Sequence, residues 1–253
     1  MPYLSKEEVQ FAINRLPPII KESTKIKPKS LAKRVLTKPT IYILTMFSVL
    51  SAMIEAFAFQ GCFLLWMKHF EDKFPQSAVT TYPLGIQAVA ILSMILAGVY
   101  MDKTRRNVEV GILTGLLQLI CGAMLVVPSL PTGGTFFAFY LSGTSFMVNP
   151  LLYGWGGVIA RRGGDDAARA IILYTMNTGG QLLYTWWGIV LYPAADAPYW
   201  KKGAIALMAA VCCYLCGLYC MHWLDQRTKE DHANRSEDDS VVTPETQVID
   251  LKA

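Results

Sequence analysis

Glu55 stands inside the stretch SVLSAMIEAFAFQGCFLL (48–65), in an apolar run from Pro39 to Met67 that holds no other charged residue. A charged acid at the centre of a membrane-spanning helix costs about 2.5–3.5 kcal/mol on insertion scales, so such residues face a bundle interior or a water-filled cavity. Two readings follow. Glu55 is a proton-binding or substrate-side carboxylate, or it is a neutral glutamate hydrogen-bonded to a neighbouring helix. Ser48 and Ser51 lie seven and four residues before it and Cys62 seven after. At helical spacing they share its face, which is small and polar rather than lipid-like.

A second group lies in AIILYTMNTGGQLLYTWWGIVLYP, where Tyr174, Asn177, Gln181 and Tyr184 fall at i, i+3, i+7 and i+10. They form a polar-aromatic stripe on an otherwise apolar helix, and such stripes either glue helices together or line a pathway. Gly179 and Gly180 allow close approach or bending. In SFMVNPLLYGWGG the pair Asn149–Pro150 stands mid-helix, where proline frees a carbonyl and favours a kink. With Gly154, Gly156 and Gly157 beside it, the kink is a gating hinge or a static packing feature. The loop AGVYMDKTRRN carries Gly98, Asp102 and Arg106 in the spacing G-x-x-x-D-x-x-x-R, with Arg105 alongside. A carboxylate at one helix end can pair with an arginine across such a loop and hold a gate closed; the plainer reading is an ordinary basic loop.

Other chemistry finds little support. No span carries paired histidines, an Asp-Asp site or a Ser-His set, so no catalytic residue, metal ligand or cofactor is assigned and the chain reads as a non-enzyme. His69 and His222 fall at opposite membrane faces and His232 in the tail. Asp165 and Asp166 sit in a basic loop, where they cap the following helix. Cys212, Cys216 and Cys220 fall at helical spacing, but no histidine or carboxylate accompanies them within the span, and buried thiols pack as small soft residues. All six cysteines lie in apolar spans, and no disulfide is expected.

The elements that must position these residues are membrane spans. The chain has 253 residues, 53% hydrophobic and 17% charged, where a soluble domain is about 25% charged. The apolar residues come in six blocks, at roughly 40–67, 84–101, 108–127, 135–160, 168–192 and 204–224. About 20 residues at a 1.5 Å rise cross a ~30 Å hydrocarbon core. The blocks are too long and too continuous for barrel strands. The expected fold is therefore all-α, a polytopic membrane protein of six transmembrane helices.

Residues 1–38 form a basic segment with nine Lys/Arg against three Asp/Glu. Within it, LSKEEVQFAINRL opens with a capping-box-like Ser5…Glu8 and predicts a short amphipathic helix. Arginine-bearing loops (Lys103 to Arg106; Arg161, Arg162, Arg169) fall on the side of the N-terminus. The positive-inside rule makes that side cytosolic, and an even number of spans returns the C-terminus to it. Tyr82, Tyr192, Tyr199, Trp200 and Trp223 mark span ends. Residues 39–225 form the bundle, and 226–253 an acidic cytoplasmic tail expected to be disordered. The basic segment abuts a span and reads as a topology signal, with no nucleic-acid partner.

The spans with the G-x-x-x-D-x-x-x-R loop resemble the major facilitator superfamily. DDAARAIILYTMNTGGQ (165–181), followed by YPAADAPYWKKG (192–203), resembles the second half of fungal permeases of the allantoate/pantothenate type, the anion:cation symporter branch. LSKEEVQFAINRL resembles the central loop leading into that half, so the likeness covers nearly all of residues 4–228. One departure is that Gly156 and Gly157 follow Trp155, where the family is expected to carry an Asn-Glu pair. The resemblance implies a C-terminal half of a major facilitator fold. It also implies plasma-membrane transport of a small organic anion such as pantothenate or allantoate, with proton symport by alternating access. It puts Glu55, Asn149, Tyr174, Asn177, Gln181 and Tyr184 on the substrate and proton pathway, and Gly98, Asp102, Arg105 and Arg106 at a cytosolic gate. The opposite wall would come from a missing N-terminal half or a homodimer. The competing reading is a six-helix membrane interaction protein, or an inactive remnant, that transports nothing.

Overall fold

A computed structural model describes Ser5, Gln10 and residues 28–59, 61–70, 72–127, 130–162 and 166–246. The amphipathic helix expected around residues 4–16 lies outside the described residues, apart from Ser5 and Gln10. The elements are α1 (Pro28–Leu36), α2 (Pro39–Phe59), α3 (Cys62–His69), α4 (Gln76–Thr81), α5 (Leu84–Thr104) and α6 (Asn107–Val126). They continue with α7 (Thr132–Ser142), α8 (Gly156–Arg161), α9 (Asp166–Leu191) and α10 (Lys201–Thr246). Among the described residues there is no strand. Four helical stretches are long and apolar enough to cross a membrane: Pro39–His69, Gln76–Thr104, Asn107–Val126 and Lys201–Asn234. The chain is an all-α integral membrane protein.

The other two expected spans are helical but interrupted or diluted. The block 135–160 runs as α7, a 3-10 segment (Gly143–Met147), a π segment (Pro150–Trp155) and α8. Pro150 lacks the N–H that a regular helix would use, and the wider π turn takes up the mismatch. The tightened 3-10 turn has its own cause. A Cβ on Gly143 would lie 2.6 Å from the Ile86 carbonyl oxygen, so only glycine lets this leg touch the backbone of α5. Helix α9 spans 26 residues, but its polar stripe lowers its hydropathy.

The first expected span, 40–67, is two helices. Gly61 adopts φ +65°, a left-handed conformation that glycine enters without a Cβ clash, and α3 begins just after it. Helix α2 is apolar apart from the Ser48, Ser51 and Glu55 face and packs on α9 and α10. Small residues let α2 and α9 meet closely. Gly180 lies beside the Ser48 Oγ and the Ala52 Cβ, and Gly179 beside Thr45 and Val49. Ser48 Oγ donates to the Met176 carbonyl at 2.7 Å, fixing the contact in depth. Helix α10 also packs on α6, and α6 on α7.

The two ends of the bundle differ. At one end an aromatic cluster joins α2, α3 and α7: Phe63 stacks on Phe139 at 4.7 Å and meets Phe136 edge-on at 4.9 Å. At the other end the start of α2, the α5–α6 turn, the end of α8, the first turns of α9 and residues 222–232 line two neighbouring clefts. The polar tail, expected to lack structure from residue 226, continues helix α10 as far as Thr246. Its start is anchored: Asp225 is buried and bonded to Arg162 and Lys229.

Candidate functional site

Glu55 is 5% exposed. Its Oε1 accepts from Asn149 Nδ2 at 2.9 Å, and its Oε2 accepts from the Tyr184 hydroxyl. The three residues come from three different helical legs. Asn149 is available because it stands between the 3-10 and π segments, where its Nδ2 also reaches the Phe146 carbonyl at 3.3 Å. Tyr184 is delivered by the stripe of α9, and Glu55 by the central helix α2. Removing a carboxyl group from water is costly unless its oxygens find donors, and here each oxygen has one.

The cradle opens into a hollow of about 170 Å³ whose polar wall is Ser48, Glu55, Asn149, Asn177, Gln181 and Tyr184, with Tyr153, which the sequence reading did not single out, beside them. Asn177 and Gln181 are exposed on the outer face of α9 and make no side-chain hydrogen bond among the described residues. Amide groups at that depth are unfavourable against lipid tails, so this face suits water or a second polar surface. The hollow is smaller than the ~300–1,000 Å³ of a complete ligand pocket. Five of the six pathway residues expected from the sequence thus meet at one place. Tyr174 does not join them: it is 77% exposed and lies outside the hollow. Of the small residues sharing the Glu55 face, Ser51 is fully buried with its hydroxyl unpartnered, and Cys62 is buried toward the aromatic end.

The second expected group lines a cleft of about 780 Å³ at the other end, bounded by Gly98, Asp102, Arg105, Arg106, Glu109, Arg162 and Asp225. The expected pairing of Asp102 with Arg106 is not formed. Among the described residues Asp102 makes no ion pair, and Arg106 Nη1 bonds Glu109 at 3.1 Å instead. The backbone explains this. Arg105 takes φ +59° to end α5, so Arg106 becomes the residue that precedes α6 and lies one turn from Glu109. The Tyr100 hydroxyl donates to the same Glu109 carboxylate.

Sequence reasoning missed the buried member of this cleft. Asp225 Oδ1 pairs with Arg162 Nη1 at 2.5 Å, and Oδ2 with Lys229 Nζ at 2.7 Å. Both partners sit among other polar residues, where one more charge gives no contrast. The i, i+4 spacing of Asp225 and Lys229 was the one available signal.

The chain, an all-α bundle of membrane-crossing helices with one polar wall, is similar in sequence to known membrane transporters. It is 28% identical to the pantothenate transporter liz1 of Schizosaccharomyces pombe, over 99% of this chain and 49% of that protein. It is also 28% identical to the pantothenate transporter FEN2 of Saccharomyces cerevisiae, over 81% of this chain and 39% of that protein. The MFS transporter PfmaC of Pestalotiopsis fici is 26% identical over 93% of this chain and 44% of its own length. The chain therefore spans about half the length of the curated relatives it matches. No family model matches it, and no solved structure does.

Proposed function

We propose that this chain forms one half of a transporter for a small organic anion, a carboxylate of the pantothenate or allantoate type. In this reading it works by proton-coupled symport and alternating access, and it is not an enzyme. The observation that carries the proposal is the Glu55–Asn149–Tyr184 cradle opening beside the uncovered amides of Asn177 and Gln181. A substrate carboxylate accepts hydrogen bonds from amide N–H groups, and Glu55 provides a proton site within reach of the same hollow. Symport with protons would neutralise the anion before it meets the hydrocarbon core. The names of the homologues support a vitamin-type substrate.

The opposite wall is supplied by a second six-helix unit, either an N-terminal half or another copy of this chain. Both termini lie in the cytosol and the membrane is the plasma membrane, with Gly98, Asp102, Arg105 and Arg106 at the cytosolic gate. The test is uptake of labelled pantothenate and allantoate by yeast lacking its own uptake system. The chain is expressed alone and fused behind the first half of the S. pombe homologue. Uptake that falls at least about tenfold in Asn177→Ala/Gln181→Ala, a loss of two or more hydrogen bonds to a charged ligand, supports the reading. Uptake by the chain alone assigns the opposite wall to a second copy. No carboxylate uptake from either form, with the protein at the membrane, overturns the proposal in favour of a non-transporting interaction protein.

A further inference from the structure

We propose that the cleft between the start of α2, the α8–α9 region and α10 binds the headgroup of an anionic phospholipid. The cleft measures about 290 Å³ and is separate from both groups of residues discussed above, sharing only Arg162 with the larger one. Its lining has two tiers. The floor is apolar, from Ile159, Ile172 and Leu224, and the rim carries Lys38, Arg227 and Thr228.

The charges favour an anion. Arg162 also faces the cleft, but Asp225 holds it; Asp231 is the one acid on the rim, and His232 borders it. Lys38 and Arg227 have no carboxylate partner among the described residues. The Arg227 guanidinium lies over the Trp223 ring, 5.2 Å from its centroid, a contact that holds it in place without neutralising it.

The depth is that of a headgroup. Pro39 opens the apolar run of α2, and Trp223 and Leu224 close that of α10, so the rim lies where hydrocarbon gives way to water. Helix α1 extends the same surface: Leu31 and Val35 pack on the core while Lys29 and Lys33 remain exposed. Basic pockets between helices at this level, flanked by basic amphipathic segments, suit lipid phosphates. A phosphodiester at the rim with its glycerol and first methylenes on the floor uses both tiers, whereas a free phosphate ion uses only one.

Native mass spectrometry of the purified chain, released from nanodiscs of phosphatidylcholine with phosphatidylserine, tests this. One retained phosphatidylserine per chain is expected in the wild type. Each cation near an anionic headgroup contributes about fivefold, so Lys38→Ala/Arg227→Ala should weaken retention roughly 25-fold. Lys38→Arg/Arg227→Lys should restore it, and Lys201→Ala/Lys202→Ala at the opposite end should leave it unchanged. Equal retention in the Lys38→Ala/Arg227→Ala protein overturns the proposal. So does full displacement of the lipid by inorganic phosphate at equal concentration, which would assign the cleft to a free anion.

Discussion

At the residue scale the defining feature is a carboxyl group with a donor on each oxygen, buried in the most apolar helix of the bundle. Removing one donor leaves a buried acceptor unsatisfied, at a cost of about 1–3 kcal/mol. Asn149→Ala and Tyr184→Phe should each lower thermal stability in detergent by that order. Combined with Glu55→Ala, each should lose less than the sum of the single effects. Additive losses would mean that the three residues do not act as a unit. Each was legible in the sequence because a polar group stands out in an apolar span. Their mutual bonding was not, because it depends on how three separate legs pack. Tyr174 shows the limit: it keeps the helical spacing of the stripe, yet α9 turns it away from the hollow. Arg162 and Asp225 show the opposite limit, since charges in polar surroundings give no contrast from which to infer burial.

At the element scale the fourth leg holds the site. Its 3-10 and π segments set Asn149 toward Glu55, and Gly143 locks the 3-10 turn against α5. Gly143→Ala places a methyl group 2.6 Å from the Ile86 carbonyl oxygen, and overpacking against backbone should cost about 1–3 kcal/mol. Gly154→Ala, where a Cβ meets open space, should leave the melting temperature nearly unchanged or raise it, since alanine favours helix over glycine. If the two variants melt alike, the close contact with α5 is not what holds this leg. The end of the same leg is tied to α10 through Arg162 and the buried Asp225. Arg162→Ala should destabilise by about 1–3 kcal/mol, below the usual cost of orphaning a buried charge because Lys229 still reaches the carboxylate. The break expected at Asn149–Pro150 could be read from the chain. The break at Gly61 could not, because a lone glycine in an apolar run is compatible with an unbroken helix.

At the scale of the whole molecule, α2 packs against α9, α10 and the broken leg that holds Asn149, and the polar hollow lies at an outer face rather than at a closed centre. The block pattern of apolar residues anticipated the four helical stretches long and apolar enough to cross a membrane, because hydrocarbon thickness leaves few alternatives. Beyond the apolar stretch, composition alone does not reveal that Asp225 is buried and paired with Arg162 and Lys229. In the function proposed above, the wall with uncovered amides faces a second wall, and the two six-helix units work by alternating access. Under the proposed function, Glu55 is the proton site at the interface of the two. The most direct test is the pH profile of labelled pantothenate uptake by the fused, complete transporter, compared with its Glu55→Gln variant. The account predicts uptake that rises as pH falls in the parent and loses that dependence in the variant, with the protein still at the membrane. Unchanged uptake with an unchanged pH response would contradict it and remove Glu55 from the mechanism.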